Sequence, residues 1–211
     1  MKYYILIISL LCIIFMQIQS TNLQVTDDNT ESIKLALIKN RFDEQVALEK
    51  LAIQTMFECE STLSNNQKAV VASTVSSIAM KVFPAKDRRE SWLAVLAIES
   101  CFNSDAESPK GAAGIGQLTL DTAKGYAEQC GLSSDIQWND LFDININGII
   151  SACVFNKYID KKDGIITLAL VGYNHGIHSD MIKKLNNLKS INMESANYIA
   201  KYSIIMEKIR R

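Results

Sequence analysis

The chain has 211 residues, 48% of them hydrophobic and 21% charged, with a formal charge of −1 at pH 7. That length buries a real core in one domain plus an appendage, and the composition excludes a largely disordered chain. The near-neutral balance, with no long basic block, excludes nucleic acid as a partner. Two prolines against nine glycines favour long helices over a turn-rich β fold.

Residues 1–20, MKYYILIISLLCIIFMQIQS, place Lys2 before an unbroken apolar run from Tyr3 to Met16, then polar and small residues up to Ser20. This is the pattern of a secretory signal peptide cleaved near Ser20 or Thr21. The run is short of the roughly 20 apolar residues that a membrane span needs, and an uncleaved anchor is the alternative. Lipidation at Cys12 is rejected, because Leu10 and Leu11 stand where small residues would be wanted. Export opens a disulfide-permitting compartment to Cys59, Cys101, Cys130 and Cys153. Four cysteines allow three pairings, and the sequence does not choose among them. No Cys-x-x-Cys spacing is present, which argues against zinc, and the cysteines read as structural.

Residues 22–30, NLQVTDDNT, read as a flexible polar start. From Glu31 to about Cys59, charged and apolar residues alternate at helical intervals, with Ile38, Phe42 and Val46 on one side. The spacing predicts one long amphipathic helix or two. SNNQ at 64–67 reads as a break. Val71, Val75, Ile78 and Val82 then predict a helical face that Pro84 ends.

The next predicted helix runs from about Asp87 to Cys101. It sets Trp92, Val95, Leu96 and Glu99 at i, i+3, i+4 and i+7, so a carboxylate projects from an apolar face. Desolvation there favours the neutral acid and raises its pKa. The negative end of the helix dipole pushes the same way. A carboxyl protonated near neutral pH suits a general acid. The alternative is an ordinary surface glutamate at a helix end. Gly111, Ala112, Ala113, Gly114 and Gly116 follow in a loop where backbone could approach a ligand closely. The Gly-Lys-Ser/Thr ending of a phosphate loop is missing. An extended polymer fits this loop better than a small anion, with Gln117 offering donor and acceptor beside it.

The stretch ESCFNSDAESPKGAAGIGQLTLDTA resembles the first two motifs of the soluble lytic transglycosylases, whose fold is similar to goose-type lysozyme. The family pattern is roughly E-S-x-F-x-x-x-A-x-S-x-x-G-A-x-G-L-M-Q, followed by T-A. Glu99, Ser100, Phe102, Ala106, Ser108, Gly111, Ala112, Gly114, Gln117, Thr122 and Ala123 fit it. LALVGYNHG resembles the family's A-Y-N-A-G motif through Tyr173, Asn174 and Gly176, and ANYIAKY its N-Y-V segment through Asn197 and Tyr198. LFDININGI has no assigned role. The resemblance covers about residues 86–205.

It implies a mainly α, lysozyme-like catalytic domain over 86–211; the helical spacing ahead of it gives a preceding helical segment at 21–85. The resemblance also implies cleavage of the β-1,4 bond between N-acetylmuramic acid and N-acetylglucosamine in peptidoglycan. Glu99 would protonate the leaving oxygen, then act as base toward the muramyl C6 hydroxyl, giving a 1,6-anhydro product. Ordinary glycosidases use two carboxylates about 5–10 Å apart; intramolecular attack removes the need for the second. Ser100 and Ser108 would support or line the sugar groove. Gly114, Gln117, Tyr173 and Asn174 would meet substrate, and Tyr198 would hold the Glu99 carboxyl. No cofactor or metal is expected; His175 and His178 lack further ligands nearby. The expected partner is the peptidoglycan glycan strand in the periplasm or cell wall. A secretion, pilus or conjugation apparatus is a compatible further partner by analogy alone.

One departure stands out. Gly116 replaces the family's methionine, which predicts a wider groove or a looser loop. Two competing functions use the same region. A lysozyme-type hydrolase would recruit Asp105 or Glu107 as a second carboxylate, and a wall-binding assembly subunit would have lost the chemistry.

Overall fold

The computed structural model describes residues 28–175 and 192–210. The expected signal peptide lies outside them, as do Gly176 and His178. Two compact units are distinguished, residues 1–42 and 43–211.

Helix α1, Asp28–Glu58, is one helix of 31 residues rather than two. The part of it in the first unit leaves Ile33, Leu35 and Leu37 exposed. In the second unit Leu48, Ala52 and Met56 follow at i, i+4 and i+8 and are buried in the main core, the stripe expected of an amphipathic helix. Cys59 and the turn after it end α1. The SNNQ stretch is a helix start rather than a break. Ser64 caps α2, Asn65–Val82, in a capping box: the Gln67 side chain accepts from the Ser64 N–H at 2.9 Å while Ser64 Oγ accepts from the Gln67 N–H. This reciprocal pairing satisfies two orphan groups at once. Val71, Val75 and Ile78 are buried as the spacing predicts. Phe83 turns extended ahead of Pro84 and stops the helix, as a residue before proline tends to do.

Helix α3, Lys86–Glu99, buries every residue from Ser91 to Ala97. The apolar face predicted from Trp92, Val95 and Leu96 is therefore part of burial all round, and α3 runs through the core. Its polar groups are matched inside. Ser91 Oγ donates to the Asp87 carbonyl at 2.6 Å, and Trp92 Nε1 donates to Ser151 Oγ at 3.3 Å. The helix stops at Glu99, two residues before the predicted end, because Cys101 and Phe102 adopt φ of 50° and 63°.

A small antiparallel hairpin follows, β1 (Ala112–Ala113) on β2 (Leu118–Thr119), with Ala112 opposite Thr119 and Ala113 opposite Leu118. No strand was expected in this loop. Helix α4 (Leu120–Tyr126) is capped by Thr119, and two short 3-10 turns lead to α5 (Ile144–Lys161). Asp143 caps α5 by accepting from the N–H groups of Asn145 and Ile146. Helices α6 (Ile166–His175) and α7 (Met193–Ile209) complete the described elements. The fold is mainly α, as predicted. Helix α5 packs on α2 and α6, while α7 packs on α3 and α6.

Two disulfides settle the pairing. Cys59 joins Cys101 with 5.6 Å between Cα atoms, and Cys130 joins Cys153 with 5.8 Å. The first ties the end of α1 to the turn after α3, and the second ties a 3-10 turn to α5.

The burial pattern sets an energetic contrast. Ile150→Ala, at a fully buried site of α5, is expected to destabilise by about 2–5 kcal/mol. Leu37→Ala, at an exposed site of α1, should stay within about 0.5 kcal/mol. Urea denaturation of both variants checks the difference.

Candidate active site

Glu99 is the last residue of α3, half-buried, and it opens onto a cleft of about 440 Å³. Helix α7 brings Tyr198 to it: the buried phenol donates to Glu99 Oε1 at 2.6 Å. Desolvation by burial raises the Glu99 pKa from 4.5 to about 7, while the Tyr198 hydrogen bond and the Lys201 charge pull it partly back. Burial disfavours the charged carboxylate because the lost water shell is not fully replaced. Near neutral pH the group is therefore divided between acid and base forms. Burial and the nearby Glu99 charge push the Tyr198 and Tyr173 phenols well above their usual range. Both remain neutral donors.

The residues around Glu99 build a braced wall. Ser100 Oγ donates to the Ile115 carbonyl at 2.7 Å, so the residue after the glutamate is tied to the glycine-rich loop. Tyr173 Oη donates to the Gly116 carbonyl at 2.7 Å, and its ring meets Phe155 edge-on at 5.9 Å. Gln117 lines the cleft, and its Nε2 donates to the Ala106 and Gly114 carbonyls, both at 3.0 Å. Its donors thus hold the loop rather than reach outward. Ser108 also lines the cleft, with Oγ accepting from the Lys110 N–H. Asn174 lines it too, and its buried Oδ1 has no partner among the described residues, leaving an acceptor for a ligand.

Gly114 is placed differently from the expectation. It is buried with φ of 77°, and a Cβ there would lie 1.8 Å from the Leu141 carbonyl. Its missing side chain permits close approach to the protein interior, not to a polymer, and it does not line the cleft. Asn147, in the stretch left without a role, explains this arrangement. Its fully buried carboxamide donates to the carbonyls of Ala113 and Leu141 at 2.9 and 2.8 Å and accepts from the Gly116 N–H at 2.8 Å. The available signal was an asparagine inside the apolar run ININGII, since a buried amide must find partners.

The two carboxylates considered for a hydrolase stand apart. Asp105 and Glu107 are exposed, and neither lines the cleft. Among the described residues, the second carboxylate that lines it is Glu194, an exposed group paired with Lys110 at 3.5 Å.

Residues 85–194 match the family model described as the transglycosylase SLT domain. The chain belongs to this family. The match supports a lysozyme-like helical domain and, in general terms, a lytic-transglycosylase type of peptidoglycan cleavage. No curated protein and no solved structure gives a significant match.

Against the family pattern, Gly116 has a different consequence from the expected wide groove. It is buried, and a Cβ there would sit 2.4 Å from Ser151 Cβ and 3.0 Å from Asn147 Oδ1. Ser151 fills the room that a side chain at 116 would take. The loop is therefore tight rather than loose. Gly116→Ala is expected to cost about 1–3 kcal/mol by overpacking. Ser151→Gly in the same chain should recover part of that loss, giving a coupling energy of roughly 0.5–3 kcal/mol in a double-mutant cycle.

The raised Glu99 pKa also sets a pH signature. A carboxyl that titrates near 4.5 unfolded and about 7 folded binds more protons in the native state between those values. Its contribution is complete below pH 4.5 and is lost as pH rises to about 7; the loss is roughly 3 kcal/mol. Glu99→Gln should remove this dependence, so its stability advantage over the parent grows from pH 4.5 to 7 and then levels off. Denaturant titrations across that range measure it.

Proposed function

We propose that this protein is an exported lytic transglycosylase that cleaves the β-1,4 MurNAc–GlcNAc bond with Glu99 as its sole catalytic carboxyl. The Glu99 proton goes to the glycosidic oxygen as the C1–O bond breaks. The carboxylate then takes the proton of the muramyl C6 hydroxyl, whose oxygen attacks C1 and closes the 1,6-anhydro ring. No water is consumed, and Glu99 ends protonated as it began. Having the nucleophile already in the substrate gives a large proximity advantage.

The observation that carries this reading is one half-buried carboxyl, poised near pH 7, in a cleft where the other acid among the described residues, Glu194, is exposed and ion-paired. A group that must give a proton and then take one works best with a pKa near the operating pH. Tyr198 orients the carboxyl. Tyr173 and Ser100 fix the loop that forms the wall, and Ser108, Gln117 and Asn174 meet the glycan. The catalytic domain is residues 86–211, and residues 21–85 supply the preceding helical segment. A signal peptide at 1–20 would deliver the protein to the periplasm or wall. The exposed positions of Asp105 and Glu107 argue against the hydrolase reading.

Digestion of purified peptidoglycan decides between the two. Mass spectrometry should find 1,6-anhydro-muramic ends, and reducing muramic ends would point to hydrolysis instead. Glu99→Gln should lower kcat by about 10²–10⁴-fold. Because the active form is the protonated acid, kcat/KM should fall as pH rises through about 7.

A further inference from the structure

Three consecutive residues after Glu99 are each fastened to a different part of the molecule. Ser100 is bonded to the Ile115 carbonyl, Cys101 is cross-linked to Cys59, and Phe102 is fully buried. The backbone between these anchors is unusual. Cys101 and Phe102 are adjacent, neither is glycine, and both occupy the left-handed region at φ of 50° and 63°. L-residues enter that region at a cost, and neighbouring pairs persist where the surroundings over-determine them. The N–H groups of Ser100, Cys101 and Phe102 all fold back onto the Leu96 and Ala97 carbonyls, closing the end of α3. The turn that holds Glu99 is thus wound against its own preference.

We propose that the Cys59–Cys101 disulfide is a positioning element for catalysis, holding the strained turn so that the Glu99 carboxyl stays against Tyr198 in the cleft. Cys59 lies immediately after α1, so the same bond couples the N-terminal helix to the catalytic turn. The other disulfide, Cys130–Cys153, joins a 3-10 turn to α5 and touches no residue next to Glu99 in sequence. It serves as an internal control. The groups that face Glu99 are Tyr198 and Lys201 from α7 and Tyr173 from α6. Release of the turn would withdraw the carboxyl from all three and return it to water.

The proposal rests on Glu99 being the catalytic acid, and the test separates the two. Cys59→Ser/Cys101→Ser and Cys130→Ser/Cys153→Ser are compared with the parent, along with the parent treated with a dithiol reductant. In that treatment two electrons and two protons convert the disulfide to two thiols, and the reagent closes to its own cyclic disulfide. Circular dichroism sets an assay temperature at which the proteins are folded. Loss of the Cys59–Cys101 bond should lower kcat by about 100-fold, the scale of a 1 Å misplacement, with KM changed by less than about twofold, as for an interaction made only in the transition state. Carbon-13 NMR should show the Glu99 titration midpoint moving from about 7 toward 4.5. The Cys130–Cys153 variant should keep both.

A folded Cys59/Cys101 variant with parental kcat and midpoint would overturn the proposal. So would a variant that does not fold at all, since a cross-link required by the whole domain is not a positioning element. Should the parent yield no anhydro product, the functional reading fails while the NMR comparison still judges the turn.

Discussion

The arrangement depends on one hydrogen bond, from the Tyr198 phenol to the Glu99 carboxyl at 2.6 Å. Everything around it keeps this pair together and partly dry. Helix α3, which runs through the core, supplies the carboxyl from its last residue, and α7 supplies the phenol from much further along the chain. Burial and the phenol act in opposite directions on the acid: desolvation raises its pKa, and the donated hydrogen bond lowers it. Desolvation wins, which leaves the group near pH 7 rather than fully protonated. A bare buried carboxyl would be a poor base, and a solvated one a poor acid.

The glycine-rich loop makes sense as the counterpart of that pair. Its buried glycines, Gly114 and Gly116, face Asn147 and Ser151 of α5 and not the cleft, while Ala112 lines the cleft itself. Asn147 satisfies the backbone groups of a loop that could not otherwise be buried. Tyr173 closes the same loop from α6 by bonding the Gly116 carbonyl. The wall beside Glu99 is therefore built from backbone held at several points. A loop so fastened can present Gln117 and Ser108 without local rearrangement, which lowers the ordering cost of binding an extended chain.

Much of this was legible in the sequence, and the parts that were not share a cause. The Glu99 motif was legible through its resemblance to the transglycosylase family, and the helical content follows from local spacing. So does the Val71–Val75–Ile78 stripe, because its period reports which side is buried. The pairing of Cys59 with Cys101 depends on which helix end approaches which turn, and local spacing carries no such information. Gly114 and Gly116 were read as open to a ligand because absence of a side chain says only that something approaches closely. It does not say whether the neighbour is substrate or protein. Asn147 went unassigned because its three partners lie in other elements. SNNQ was misjudged for a different reason: Ser and Asn compete with helix in its interior but favour its start, and Gln67 three residues on completed the cap.

The departure at Gly116 then looks less like a defect of the site than a local repacking. A side chain of any size at 116 must share space with Ser151, and Ser151 in turn accepts from the Trp92 indole at the centre of α3. A change at 116 is thus felt along the helix that ends in Glu99. On the proposed mechanism this couples substrate-loop geometry to the position of the acid through buried contacts alone. On that mechanism one carboxyl would suffice structurally as well as chemically. A single group, held by a turn on one side and a phenol on the other, needs only one geometry for both proton transfers, since the proton leaves and returns at the same oxygens.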